Sequence, residues 1–159
     1  MGVEIERKFL VRSQDFREEA EEAIQMVQGY LSTTPEHTIR VRRTGEEARL
    51  TIKGPARGLV RPEFEVEITA VMAGQLLAHF CQGRTLTKTR YVVPRGEVVW
   101  EVDVFDGENQ GLVVAEVELS RPDQEVDLPA WVGQEVTGDS RYYNARLVEE
   151  PYQSWSQEE

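Results

Sequence analysis

Charged side chains recur at every second position in several segments of this 159-residue chain. The first segment, Glu4-Ile5-Glu6-Arg7-Lys8, places Glu4, Glu6 and Lys8 two residues apart. Residues two apart in a β-strand share a face, so this spacing predicts a strand with one charged face. Carboxylates and an ammonium group on one face can bind metal ions and the oxygens of an anionic substrate.

The later charged faces are sorted by sign. Basic pairs occur at Arg40 and Arg42 and at Lys88 and Arg90, Lys53 shares a face with Thr51, and acidic sets occur at Glu63, Glu65 and Glu67, at Glu101 and Asp103, and at Glu116 and Glu118. For any single strand, a polar face in water is the simpler interpretation. A solvated face would mix the signs, however, because opposite charges on neighbouring strands stabilise each other. Sorting indicates a concave face that binds a multivalent anion together with hard divalent cations such as Mg²⁺ or Mn²⁺.

The segments that carry these residues predict a mainly β (α+β) fold. Runs rich in β-branched residues are separated by turn residues, and we expect strands near residues 3–12, 25–32, 37–44, 47–54, 60–69, 84–94, 97–106 and 111–119. About eight antiparallel strands can close into a barrel whose interior has the width of a small ligand. We therefore expect an eight-stranded closed antiparallel β-barrel, a tunnel with charges inside and apolar side chains outside.

A few helices are expected to flank this barrel. The predicted helical segments are 14–23, 70–81 after the N-cap Thr69, and 139–149. The second and third would cover the apolar outer face. The domain is expected to span residues 1–150, followed by a frayed tail at 151–159.

Composition excludes several classes of function. The net charge of −11 argues against a nucleic-acid-binding surface. No apolar run reaches the length of a membrane span. The single cysteine, Cys81, cannot form an intrachain disulfide, which favours a cytoplasmic location. The expected partner is a small anionic substrate; a homodimer is compatible with such a barrel, although nothing in the sequence demands one.

The ordered set of motifs resembles the CYTH superfamily, the triphosphate tunnel metalloenzymes. The family's hallmark Glu-x-Glu-x-Lys is present at residues 4–8. The other motifs follow in family order: Gln28-Gly29-Tyr30-Leu31, Arg40-Val41-Arg42, Thr51-Ile52-Lys53, Glu63-Phe64-Glu65, Lys88-Thr89-Arg90-Tyr91, Glu101-Val102-Asp103, Glu116-Val117-Glu118 and Arg141-Tyr142-Tyr143-Asn144. The resemblance covers about residues 3–148, which is nearly the whole domain.

The resemblance also implies roles for individual residues. Phosphate oxygens would be bound by Lys8, Arg40, Arg42, Lys53, Lys88 and Arg90. Metal ions, or water bound to them, would be held by Glu4, Glu6, Glu63, Glu65, Asp103, Glu116 and Glu118. Glu67 is a weaker candidate near the tunnel mouth. Tyr30 either works beside Lys8 at the scissile end or is an ordinary strand aromatic.

The implied activity is metal-dependent hydrolysis of inorganic triphosphate to pyrophosphate and phosphate. The catalytic candidates are Lys8, Tyr30, Glu4 and Glu6. In this hypothesis two divalent ions, Mg²⁺ or Mn²⁺, take part: one bridges phosphate oxygens and the other positions the attacking water. Basic side chains would stabilise the charge that grows on the bridging oxygen.

Other activities remain open at this point. A class IV adenylate cyclase would use the same triphosphate site, with a ribose hydroxyl in place of water. Hydrolysis of thiamine triphosphate, of nucleoside triphosphates or of an RNA 5′-triphosphate would need an additional pocket for the organic group. A non-catalytic polyphosphate-binding module would not need the carboxylates. His37, His79, Cys81 and Trp131 are interpreted as structural or surface residues, and Trp155 has no assigned role.

Overall fold

The computed structural model describes residues 2–34 and 36–155, and within them the chain forms nine β-strands and three short α-helices. The strands are β1 Gly2–Val11, β2 Glu22–Thr34, β3 His37–Thr44, β4 Glu47–Lys53, β5 Val60–Ile68, β6 Thr85–Arg95, β7 Val98–Phe105, β8 Val113–Glu118 and β9 Val132–Glu135. The helices are α1 Phe16–Glu19, α2 Ala70–Phe80 and α3 Asn144–Leu147. Single 3₁₀ turns occur at Gly107–Asn109, Ser140–Tyr142 and Tyr152–Ser154.

Eight of the strands close into an antiparallel barrel, which confirms the predicted fold. They are ordered β5-β4-β3-β2-β6-β7-β8-β1, and β1 pairs back with β5 to complete the ring. The ninth strand, β9, pairs with β1 at Phe9 and Val11, beyond the residues that contact β5. The sequence prediction missed β9 because four residues, one of them Gly133, are too few to show an alternating pattern.

The predicted helix at 14–23 is mostly wrong. Only Phe16–Glu19 is helical, because Ala20 adopts an extended conformation and β2 begins at Glu22. Phe16 is fully buried, and its ring packs edge-on against those of Tyr91 and Trp131. Helix α1 and residues 126–132 therefore cover the outer apolar face of β1, β6, β7 and β8. The packing role expected for Trp131 is confirmed.

Helix α2 covers the outer face of the other half of the barrel, as predicted. Its N-cap Thr69 accepts a hydrogen bond from the backbone N–H of Met72. Its residue Ala73 packs with Val41 and Ala48 of β3 and β4. Gly29 on β2 makes this close approach feasible, because a Cβ at that position would lie 2.7 Å from Leu77 and 2.8 Å from Cys81.

The predicted helix at 139–149 is interrupted, and its expected position on the outer face is wrong. Tyr143 is extended and separates a 3₁₀ turn from α3. Residues 136–148, here called the C-terminal plug, pack against inward-facing apolar residues of the strands. The core that they share consists of Tyr30, Leu86, Phe105, Leu112, Val114, Val136, Tyr142, Leu147 and Val148. The plug therefore fills one end of the barrel interior.

The residues that follow the plug continue to pack on it as far as Trp155. The ring of Trp155 contacts those of Tyr142 and Tyr152 at centroid distances of 5.3 and 5.0 Å. Residues 156–159 of the expected tail lie outside the described residues. Within the described part of the chain, no helix is long and apolar enough to cross a membrane.

Candidate functional site

The charged faces of the strands enclose a cavity of about 740 Å³ inside the barrel. Most of the residues predicted from the sequence line it: Glu4, Glu6, Lys8, Tyr30, Arg40, Arg42, Lys53, Glu63, Glu65, Lys88, Arg90, Glu116 and Glu118. Asp103 is buried and does not line the cavity. Glu67 lies outside the cavity lining, and its side chain is 80% exposed beside Arg49. The structure thus brings nearly the whole predicted set together around one space.

The two signs of charge occupy opposite walls of the cavity. Strands β5, β1, β8 and β7 are neighbours in the barrel and carry the inward carboxylates, which form the acidic wall. Strands β4, β3 and β6, with β2 between the last two, carry most of the inward cations, which form the basic wall. Lys8 is a cation on the acidic wall. A barrel divided in this way can hold an anion on one side and metal cations on the other.

The basic wall is organised around one buried carboxylate. Asp103 Oδ2 lies 2.6 Å from Lys88 Nζ, and its Oδ1 lies 2.8 Å from Arg90 Nε. Burial alone would raise the pKa of Asp103, but Arg90 and Lys88 outweigh it and hold that pKa well below its usual range. Asp103 therefore remains ionised and keeps the two cations side by side.

Arg42 and Arg40 keep unused hydrogen-bonding capacity. Arg42 donates from Nε to Gln28 Oε1 at 3.1 Å, and within the described residues no carboxylate forms an ion pair with it. Burial, together with Arg40 and Arg90, lowers the pKa of Arg42 to about 9. Arg40 Nε is buried without a hydrogen-bond partner in the same part of the chain. Such groups favour an anionic ligand, because buried cations and donors without partners are costly.

The acidic wall is short of positive charge. Glu4 is bound by Lys53 at 2.8 Å, and Glu116 lies 3.5 Å from Lys8. Burial and the neighbouring Glu116 raise the pKa of Glu6 to about 8. Burial and nearby carboxylates also raise the pKa of Glu63 and of Glu118. Added cations would relieve this repulsion.

These donors suit divalent cations that bind together with phosphate. Within residues 2–34 and 36–155, no three carboxyl, imidazole or thiol groups already converge on one point. Mg²⁺ commonly uses one or two carboxylates and completes its shell with water and substrate phosphates. The acidic wall offers such carboxylates facing the cations that would hold the phosphates.

Lys8 and Tyr30 contact different partners in the structure. Lys8 Nζ lies 3.5 Å from the carbonyl oxygen of Tyr142 and 5.2 Å from the centre of the Tyr143 ring. Carboxylates including Glu116 raise the pKa of Lys8 above its usual value, although burial opposes them. The hydroxyl of Tyr30 accepts a hydrogen bond from Gln28 Nε2 at 3.2 Å.

Several residues of the site belong to the motifs of the sequence but were not among the predicted phosphate-binding, metal-binding or catalytic residues. Glu101 and Tyr143 line the cavity, and Gln28 and Asn144 contact its cations. Gln28 stands two residues before Tyr30, and this spacing could have placed it on the inner face. Asn144 belongs to the motif Arg141-Tyr142-Tyr143-Asn144, but this motif alone does not predict its contact with Lys88, since that contact depends on how the plug enters the barrel.

The model of the CYTH domain family matches residues 2–151. The chain belongs to the CYTH family. A relative from Acetivibrio thermocellus named inorganic triphosphatase is 39% identical, and the match covers 99% of this chain and 100% of the relative. Another inorganic triphosphatase, from Nitrosomonas europaea, is 40% identical over 91% of this chain and 96% of its own.

Two solved structures share this fold. The crystal structure of an inorganic triphosphatase is 35% identical, has a TM-score of 0.65, and the match covers 91% of this chain and 96% of that one. A Pyrococcus horikoshii protein is 20% identical, with a TM-score of 0.60 and coverage of 76% and 81%. This second likeness supports the fold alone.

Proposed function

We propose that this chain hydrolyses inorganic triphosphate to pyrophosphate and phosphate inside the charged barrel. The observation that carries the proposal is the divided cavity, in which Arg42 faces the interior without an acidic partner among the described residues. The two relatives named inorganic triphosphatase support the choice of substrate, since each match covers nearly the full length of both chains.

The basic wall would bind the phosphates. Arg40, Arg42 and Arg90 are suited to this role because a guanidinium can bind two oxygens at once. Lys88 and Lys53 would add point charges. Asp103 was predicted as a metal ligand, but its oxygens are bound by two cations. We therefore propose that Asp103 holds the side chains of Lys88 and Arg90 in place.

The acidic wall would hold two divalent ions, Mg²⁺ or Mn²⁺. The residues available for them are Glu4, Glu6, Glu63, Glu65, Glu116 and Glu118. When bound, such ions would neutralise charge on the phosphate oxygens and lower the pKa of nearby water. The family to which the chain belongs is consistent with divalent-metal dependence.

The residues around Lys8 would carry out the chemical step. A water molecule oriented by carboxylates of the acidic wall attacks a terminal phosphorus and gives up its proton to one of them. A new P–O bond forms as the anhydride bond to the leaving pyrophosphate breaks. Lys8 would stabilise the charge that develops on the leaving oxygen. Tyr30 would assist from the neighbouring wall.

The size of the cavity supports a second candidate substrate class. At about 740 Å³ it falls within the range of sites for drug-sized ligands, roughly 300–1,000 Å³. Its lining includes Pro55, Ala56 and Leu59 from the β4–β5 loop. A nucleoside or thiamine triphosphate could therefore place its organic group beside this loop.

Phosphate release would decide between these substrates. It is measured from inorganic triphosphate, ATP and thiamine triphosphate, each with Mg²⁺, with Mn²⁺ and with chelator, and the ATP reaction is also assayed for cyclic AMP. The proposal expects fast, metal-dependent release from inorganic triphosphate. Cyclic AMP would identify a cyclase, and tight binding without turnover of any substrate would identify a non-catalytic module.

The cellular location and the oligomeric state of the protein can be tested separately from its activity. The single cysteine supports a cytoplasmic location, which cell fractionation would test. Light scattering of the purified protein would decide whether it forms a homodimer.

A further inference from the structure

Two amide side chains join the cations of the basic wall to the C-terminal plug. The Gln28 side chain is fully buried, and its Nε2 donates to Asn144 Oδ1 at 3.0 Å. The same Asn144 oxygen accepts from Lys88 Nζ at 2.9 Å. Because Gln28 Oε1 also accepts from Arg42, the two amides form a continuous bridge from Arg42 to Lys88.

The chemistry of the end groups determines how both amides are oriented. A guanidinium and an ammonium group can only donate hydrogen bonds. The oxygen of Gln28 must therefore face Arg42, and the oxygen of Asn144 must face Lys88. This leaves the Gln28 NH₂ group to donate to Asn144 and to the hydroxyl of Tyr30. Every contact in the bridge is then a donor facing an acceptor.

The bridge lies where like charges are crowded. Burial lowers the pKa of Lys88 to about 7, and Arg90 and Arg42 act in the same direction against Asp103. Asp103 binds Lys88 and Arg90 but forms no ion pair with Arg42 among the described residues. Neutral acceptors on Gln28 and Asn144 can hold Arg42 and Lys88 near each other without cancelling the charge that an anion needs.

We propose that Gln28 and Asn144 are positioning residues, which form an amide bridge that holds Arg42 and Lys88 in the geometry that binds triphosphate. The inference rests on the proposed function for the identity of the anion. It adds a role for the plug: α3 supplies Asn144, and so the closed end of the barrel helps to set the binding geometry.

The test measures tripolyphosphate binding in chelator by calorimetry, and KM and kcat with metal. Gln28→Met and Asn144→Leu remove one amide each, and the double variant removes both. Asn144→Asp keeps an acceptor for Lys88. Gln25→Met is the matched control, because Gln25 lies on the same strand but is exposed on its outer face.

We expect Gln28→Met and Asn144→Leu each to raise Kd and KM by about tenfold, with kcat within about threefold of the parent. The double variant should lose little more than either single variant, because both changes break one bridge. Gln25→Met should stay within about twofold of the parent in KM, whereas Asn144→Asp should raise KM, because its added negative charge cancels charge that the anion needs. The melting temperature of each variant is measured alongside, and a loss of folding in one amide variant leaves the other to be judged.

Kd and KM values within twofold of the parent in a folded Gln28→Met or Asn144→Leu variant would overturn the inference, as would fully additive losses in the double variant. A parent that binds tripolyphosphate but releases no phosphate would overturn the proposed function, and the Kd values would still judge the bridge. A parent that does not bind tripolyphosphate would overturn both.

Discussion

At the scale of single residues, the ion-pair partner of each cation distinguishes its role. Five of the six predicted phosphate-binding cations face a carboxylate within the described residues, namely Lys8, Arg40, Lys53, Lys88 and Arg90. Among the same residues, Arg42 instead donates a side-chain hydrogen bond only to the amide oxygen of Gln28. Its charge is therefore the one that folding leaves least compensated, and an incoming polyanion would gain most from it.

Replacing Arg42 tests this assignment. Arg42→Met should raise KM for inorganic triphosphate by about 10–100-fold, because hydrogen bonds to charged groups contribute roughly 1.5–3 kcal/mol. The free energy of unfolding should stay the same or rise, since a desolvated cation beside Arg40 and Arg90 is removed. Steady-state kinetics and urea unfolding measure the two effects.

Arg7→Met is the matched control for this experiment. Arg7 faces outward and binds Glu135 through both carboxylate oxygens at 2.9 and 2.8 Å. Its replacement should cost up to about 1 kcal/mol of stability and leave KM unchanged, because the pair is partly exposed. An unchanged KM in Arg42→Met as well would contradict a phosphate-binding role for Arg42.

The raised pKa of Glu6 predicts a pH-dependent stability in chelator. Between the usual carboxyl pKa of 4.5 and about 8, folded Glu6 keeps a proton that the unfolded chain releases. The stability that this bound proton contributes is therefore fully present below pH 4.5 and is lost as the pH rises through about 8. Glu6→Gln should gain stability relative to the parent from pH 5 to 8.5, by up to roughly 4 kcal/mol.

Urea unfolding of the parent and variant across this pH range measures the difference. Glu18→Gln on the exposed side of α1 is the control, and its stability should follow the parent at every pH. Parallel curves for Glu6→Gln and the parent would show that Glu6 is not protonated in the folded protein near neutral pH.

At the scale of elements, two segments from outside the barrel ring shape the site in different ways. Helix α2 supports β2 and β3 from outside, whereas the plug enters the barrel and contacts Lys8 and Lys88 directly. Gly29 couples the first of these elements to the site, because it lies under α2 and between the inward residues Gln28 and Tyr30.

Gly29→Ala should therefore destabilise the protein. The new Cβ would lie 2.7 Å from Leu77 and 2.8 Å from Cys81, so α2 must move away from β2. We expect a loss of about 1–3 kcal/mol in the free energy of unfolding, as for other overpacked positions. Gly74→Ala is the control: apart from the neighbouring backbone of α2 itself, no atom of the described residues lies within 4 Å of its new Cβ, and the change should stabilise the helix by up to about 1 kcal/mol. Equal effects of the two changes would contradict the proposed docking.

At the scale of the whole molecule, the alternation of charged and apolar residues was sufficient to predict the barrel and most of the cavity lining. A two-residue period determines which side chains share a face, and strands such as His37–Thr44 matched the prediction residue for residue. Because the acidic strands are neighbours in the closed ring, their carboxylates form one continuous wall and the cations form the other.

The plug and the amide bridge could not be predicted in the same way. The apolar residues at 136–148 resemble those of any helix that covers a sheet, and their position inside the barrel depends on contacts with Leu86 and Val114, distant in the chain. Asp103 has the spacing of a metal ligand, but the register of β6 against β7 places it directly opposite Arg90. Tertiary contacts therefore determine where the plug and Asp103 lie.

The most direct test of the divided cavity is a crystal structure with a non-hydrolysable imido analogue of triphosphate and Mn²⁺, in which anomalous scattering locates the metal. We expect phosphate oxygens within hydrogen-bonding distance of Arg40, Arg42, Lys88 and Arg90, and Mn²⁺ between those phosphates and the carboxylates of the acidic wall. An analogue bound outside the barrel, or Mn²⁺ bound only to surface carboxylates, would contradict this expectation.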